Sequence, residues 1–155
     1  MARNIAQEMS RDMSKERAHR IFSIAEANDL VPTLKAIFDG IRAERATIDT
    51  LLPDIRAAAD RRRENGGSVH GARYMEALER VSAELERVAE MGVLVKDVDQ
   101  GLCDFPFRHK GRLVLLCWQH GEDEVAWWHD LDSGFRGRQP ISDLTDDLTG
   151  DRTDV

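Results

Sequence analysis

From Ala27 onward, apolar residues recur in alternating steps of four and three: Ala27, Val31, Leu34, Phe38, Ile41, then Arg45 in an otherwise apolar place, then Ile48, Leu52, Ile55 and Ala59. A heptad seam of this kind lays one stripe of a helix against a partner. Ser23-Ile24-Ala25-Glu26 stands just before it and matches a capping box, in which the serine oxygen takes the Glu26 amide hydrogen and the glutamate reaches back. A continuous helix over roughly 24 to 62 would be about 58 Å long, given a rise of ~1.5 Å per residue. Pro32 and Pro53 each lack a backbone donor and crowd the preceding turn, so each predicts a kink or a restart, with Asp29 and Asp49 or Thr50 placed to cap the restarted segments. Arg61, Arg62 and Arg63 suit the negative end of the helix, and Asn65-Gly66-Gly67-Ser68 predicts a turn.

The rhythm resumes with Tyr74, Leu78, Val81, Leu85 and Val88, supported by the Glu76 and Arg80 pair, and Gly92 ends it as a C-terminal cap. The two stretches therefore predict an antiparallel helical hairpin over 23–91. The first is about twice as long as the second, so part of its seam must meet an N-terminal arm, a sheet or another chain. That mismatch leads us to expect a homo-oligomer.

After Gly92 the pattern changes. Val93, Leu94 and Val95 precede three β-rich runs, 102–107, 112–118 and 125–130, separated by turns at His109-Lys110-Gly111 and His120-Gly121-Glu122-Asp123. An antiparallel meander connects them most economically. Within it Leu113, Leu115 and Cys117 alternate with Val114, Leu116 and Trp118, and Val125, Trp127 and His129 alternate with Ala126 and Trp128. Both faces are apolar, so both should be covered, one by the hairpin and the other by a second layer or a second subunit. The predicted fold is α+β, a long antiparallel helical hairpin packed against a small antiparallel β-meander. It occupies one domain over 21–141, with the meander and its following loop at 93–141, an N-terminal arm at 1–20 and an acidic tail at 142–155.

The composition narrows the function more than the fold. The chain has 155 residues, 41% hydrophobic and 33% charged, which suits one soluble domain. A net charge of -7 and a pI near 5.2 argue against nucleic acid as a partner, because phosphate neutralisation needs a basic footprint. Cys103 and Cys117 are too few for a disulfide framework and read as reduced thiols of a cytoplasmic protein. Residues 1–20 hold no signal-peptide core and no later run approaches the ~20 apolar residues of a membrane span, so neither secretion nor membrane insertion is expected.

The ionisable residues gather after Gly101. With a tight turn at Lys110-Gly111, Asp104 falls opposite Cys117; Glu122 and Glu124 sit at the next turn, His129 ends the third run, and Arg136 and Arg138 follow in a glycine-spaced loop. A carboxylate among apolar strands needs a partner, since an unpaired buried charge is costly. His129, Arg138 or a bound cation would serve. One reading makes Asp104, Glu122, His129 and Arg138 an internal network that pins the meander to its loop. A second makes Asp104, Glu122, His129 and Cys117, or His120, the ligands of a divalent transition metal such as zinc, with Glu124 or another carboxylate as base. A third takes Arg136 and Arg138 as anion ligands, with Trp118 and Trp128 the candidate ligand-binding aromatics. Core and interface packing is the simpler role for those tryptophans. Catalysis by Cys117 with His129 has the least support, because a cysteine between Leu116 and Trp118 in a strand is usually inert.

The chain also resembles the small bacterial and archaeal proteins grouped as DUF2203. The likeness lies in Phe22 with the following Ala-Glu-Ala-Asn and Leu-Val-Pro, then in Gly92-Val93, Val95-Lys96-Asp97, Gly101-Leu102, Asp104-Phe105-Pro106, Leu116-Cys117-Trp118, Gly121-Glu122, Trp128-His129, Gly134-Phe135 and Gly137-Arg138-Gln139-Pro140. It covers roughly 21–141, and its second half is the specific part. The resemblance implies that Asp104, Cys117, Trp118, Glu122, His129 and Arg138 are characteristic positions, and it brings no established activity. Together these observations lead us to expect a cytoplasmic interaction or binding module that self-associates or meets another protein. The alternative is a metal-dependent or anion-binding enzyme centred on Asp104, Glu122, His129 and Arg138.

Overall fold

The computed structural model describes residues 20–61 and 69–147. The arm at 1–19, Arg62, Arg63, the turn at 65–68 and the tail from 148 lie outside the described residues.

Helix α1 runs from Ile24 to Asp60 and opens with the expected capping box: Ser23 Oγ accepts from the Glu26 amide at 3.1 Å, and Glu26 Oε2 accepts from the Ser23 amide at 2.9 Å. It passes through Pro32 and Pro53 as one helix, so the expected restarts do not occur. Both prolines lie on exposed positions, where a carbonyl left without its helical donor can be met by water. Thr50, a candidate cap, instead donates to the Ala46 carbonyl at 2.8 Å inside the helix.

Ala27, Val31, Leu34, Phe38, Ile41 and Ile48 of the seam are buried, and Arg45, at its polar break, pairs with Asp99. Toward the end the seam shifts. Ala58 is buried and Ala59 exposed, as expected when a 3.6-residue helix drifts against a 3.5-residue repeat.

Helix α2, Gly71–Glu90, returns antiparallel to α1 and buries Ala77, Val81, Leu85 and Val88, with Tyr74 and Leu78 partly buried against the same core. Glu44 of α1 bridges the helices by accepting from Arg73 at 2.9 Å and Arg80 at 3.0 Å. The Arg80 hydrogen bond is the main cause that lowers the Glu44 carboxyl below its ordinary range.

The sheet holds five antiparallel strands in sequence order: β1 Leu94–Asp97, β2 Leu102–His109, β3 Arg112–Gln119, β4 Trp127–His129 and β5 Gln139–Pro140. Lys110 and Gly111, both with positive φ, form the two-residue turn between β2 and β3. Gly101, just before β2, lies so close to the turn after β3 that a Cβ there would be 2.5 Å from the His120 Cβ, and its φ is +62°. The turns fix the register, and Asp104 stands opposite Cys117. β3 and β4 then pair Leu115 with His129, Leu116 with Trp128 and Cys117 with Trp127.

This register gives each face its character. Cys103, Phe105, Val114, Leu116, Trp118 and Trp128 join the core with the helices; Phe22 meets Phe105 edge-on at 5.2 Å and Phe38 lies 6.3 Å from Trp118. Phe22 and Phe38 thus tie the entry to α1 and its seam to the sheet as well as to α2. Asp104, Leu115, Cys117, Trp127 and His129 share the opposite face. Its cover comes from the chain itself, in the segment after β4 that carries the 3-10 turn Phe135–Gly137. The chain then continues past 141 in a 3-10 helix, Ile141–Asp147, whose Leu144 is 1% exposed. The boundary expected at 142 therefore falls inside an element that anchors the core.

Candidate functional site

Asp104 is 1% exposed and His129 2% exposed, and both sit on the sheet face turned away from the helices. His129 Nε2 lies 3.2 Å from Asp104 Oδ1, while Nδ1 lies 2.7 Å from the Asp130 carbonyl. A carbonyl only accepts, so Nδ1 carries a hydrogen and Nε2 is the nitrogen left to face the cluster. Cys117, fully buried, completes a group with Asp104 and His129 in which one ligand atom from each lies within 4.8 Å of the others.

Electrostatics reinforce this grouping. Burial works to lower the His129 pKa, but hydrogen bonds to Asp104, Cys117 and the Asp130 carbonyl override it and hold the ring at about 10. Without another cation the ring is therefore an imidazolium that answers the buried carboxylate. Cys103, on the helix side, is different: burial first, then the nearby Asp104 and Cys117, push its thiol well above the ordinary range. It remains a protonated core residue.

Glu122 and Arg138 form an adjoining pair. Arg138 donates from both terminal nitrogens to Glu122, at 2.8 and 2.9 Å, and the Gln119 amide donates to Glu122 Oε2 at 2.7 Å. The Glu122 carbonyl also accepts from Trp118 Nε1 at 3.0 Å. These contacts lock the turn between β3 and β4. The Arg138 guanidinium lies 5.5 Å from the Trp127 ring centre and 4.6 Å from that of Phe135. Burial opposes its charge, whereas Glu122 and Cys117 more than compensate and raise its pKa.

Of the four candidate metal ligands, Asp104, Cys117 and His129 converge, whereas Glu122 is engaged by Arg138 and the Gln119 amide. His120 lies on the helix side, where Nε2 meets Asp39 at 2.9 Å, and Glu124 is exposed. Arg136 is exposed, and Arg138 holds Glu122 in a fork. Trp118 and Trp128 belong to the helix-side core. The tryptophan beside the site is Trp127, and the alternation that put it on the His129 side was visible in the sequence.

The cluster opens on one side. A cavity of about 190 Å³ is lined by Lys96, Leu102, Asp104, Leu115, His129, Leu131, Gly134 and Phe135. Asp104, His129 and Leu115 form its buried floor, and Lys96, Leu131 and Phe135 its exposed outer part. Leu131 and Phe135 carried no sequence signal beyond being apolar residues in a loop. Cys117 does not line the cavity.

This arrangement favours convergence over proton relay. A cysteine nucleophile activated through histidine needs the thiol and the orienting group on opposite ring nitrogens. Here the main-chain carbonyl takes Nδ1, so Asp104 and Cys117 are left to share Nε2. Three donor atoms within 4.8 Å of one another could hold a metal ion, and a carbonyl bond at Nδ1 is an outer contact of the kind that commonly fixes a ligating histidine.

Among the described residues no helix is long and apolar enough to cross a membrane. No curated protein and no solved structure matches the chain. Residues 20–141 match the family described as uncharacterized conserved protein (DUF2203), which takes in both helices and all five strands, and the chain belongs to that family.

Proposed function

We propose that this protein is a metal-dependent enzyme whose Asp104, Cys117 and His129 hold one divalent transition ion. The observation that carries this reading is a buried carboxylate, thiol and imidazole with ligand atoms within 4.8 Å of one another, the imidazole already fixed by a main-chain bond at its other nitrogen. Zinc suits this donor set best, since it accepts sulfur, nitrogen and oxygen ligands together and keeps a fourth position in catalytic sites. Two of the three ligands line the cavity, so the fourth position would face it. The ion would supply a Lewis acid there. Arg138 and Glu122 would hold the loop that closes the site and keep a cation beside the Cys117 sulfur.

Cobalt titration of the full chain tests this assignment. A cobalt ion bound by Cys117 gives sulfur-to-metal charge-transfer absorption together with the intense visible bands of a four-coordinate site. Both should saturate at one equivalent in the wild type, and the charge-transfer band should vanish in Cys117→Ser. A wild type that shows neither band, with its fold intact by circular dichroism, would refute the assignment.

One observation supports self-association as a second reading. Trp127, Leu131 and Phe135 are 36%, 55% and 41% exposed and lie on the same side of the molecule as the cavity, a surface that a second copy in the cytoplasm would cover. Sedimentation of the wild type and of Leu131→Ser tests it: a dimer that the variant dissociates is expected, and a monomer over the whole concentration range would remove it.

A further inference from the structure

We infer that Arg138 is a positioning residue of the metal site: its Nε hydrogen is the donor to the Cys117 sulfur when that sulfur ligates the ion, and it sets how strongly the sulfur gives charge to the ion. This rests on the metal reading above.

The donors of the guanidinium point to this role. Five N–H groups in a rigid fork leave an arginine with more to satisfy than one carboxylate can meet. In Arg138 the two terminal nitrogens are committed to Glu122, at 2.8 and 2.9 Å. The side chain is 13% exposed, and Nε is buried with no hydrogen-bond partner among the described residues. A buried donor of a charged group is costly when unmet, and the fork to Glu122 gives no reason to hold Nε away from water.

Strand register brings an acceptor close. Trp127, whose ring centre lies 5.5 Å from the guanidinium carbon, stands opposite Cys117, and the side chains of such a pair share one face of the sheet. Burial opposes the Arg138 charge, but Glu122 and Cys117 outweigh it, as expected of a guanidinium within reach of the sulfur. The sulfur of a thiol accepts only weakly. A coordinated thiol loses its proton outright, and a guanidinium hydrogen bonds strongly to the anion that results. Nε thus finds its partner when the ion is bound. A hydrogen bond of this kind draws charge from the sulfur and leaves the ion a stronger Lewis acid at its open position.

The test compares full-length wild type, Arg138→Lys and Glu122→Gln, each loaded with cobalt and checked for fold by circular dichroism, through the energy of the sulfur-to-cobalt charge-transfer band. Arg138→Lys leaves a cation for Glu122 and so keeps the turn, but sets carbon where Nε stands. Without the donor the sulfur lone pairs rise in energy, so the band should move to longer wavelength while one equivalent of cobalt still binds. Glu122→Gln weakens the fork and leaves Nε in place, so its band should stay at the wild-type position. A band unmoved in Arg138→Lys, or moved equally in Glu122→Gln, would overturn the role of Arg138 and leave the metal site standing. A wild type without the band would overturn both.

Discussion

On its helix side the sheet presents Cys103, Phe105, Val114, Leu116, Trp118 and Trp128, whereas the other side presents Asp104, Leu115, Cys117, Trp127 and His129. Both surfaces are almost wholly withdrawn from solvent at their centres, with Leu116 and Cys117 each 0% exposed. They differ in what the burial achieves. Against the helices it removes apolar area from water and stabilises the fold. Under the loop it encloses a carboxylate, a thiol and an imidazole, groups that cost free energy when dehydrated unless they are paired. Apolar packing would have been the less costly way to fill that space. The polar cluster is therefore the costlier of the two buried surfaces, and the binding role proposed for it would account for that cost.

The comparison breaks most visibly at Asp104. In metal-free protein Asp104→Ala leaves the buried imidazolium of His129 without its carboxylate and should cost about 3–5 kcal/mol, read from urea unfolding. Zinc should raise the unfolding midpoint of the wild type and leave that of the variant unmoved. On the other face Leu116→Ala should cost about 2–5 kcal/mol through lost burial and the cavity it leaves. Its zinc affinity, measured on folded protein, should match that of the wild type. Equal loss of zinc in both variants would erase the distinction between the faces.

A further effect follows from pH. The folded-state pKa of His129 is raised from 6.5 to about 10, so its protonated form contributes stability in full below about 6.5 and loses that contribution as pH rises toward 10. Metal-free protein should accordingly become easier to unfold by urea between these values. In the zinc-loaded protein the ring is already deprotonated, so this slope should flatten while zinc affinity rises with pH. A His129→Gln variant should lose the slope that metal-free wild type shows.

Much of the architecture was legible in the chain because it follows from local rules. The capping box at Ser23, the heptad seam and the two-residue turn at Lys110-Gly111 each depend on near neighbours, and the turn alone puts Asp104 opposite Cys117. His129 followed from strand alternation. What the chain concealed depends on contacts distant in sequence. The prolines of α1 are tolerated because their exposed positions leave the affected carbonyls near water, a property of the folded surface. The two-residue strand Gln139–Pro140 and the burial of Leu144 arise where short polar segments are held by their surroundings, and no periodicity marks them. Trp128 was a weaker choice than Trp127 for the same site, since strand alternation already set Trp127 on the side of His129 and Trp128 on the other. Glu122 illustrates the remaining difficulty: a carboxylate in a turn can serve a metal or an arginine, and only the fork of Arg138 decides between them.

The central claim is that the polar face exists to hold an ion. Elemental analysis of wild type purified without an affinity tag, beside His129→Ala judged equally folded by circular dichroism, tests it most directly. The account predicts close to one equivalent of a transition metal in the wild type and none in the variant. A well-folded wild type that is free of metal, and whose stability responds neither to added zinc nor to a chelator, would contradict it and leave Asp104 and His129 as a structural ion pair.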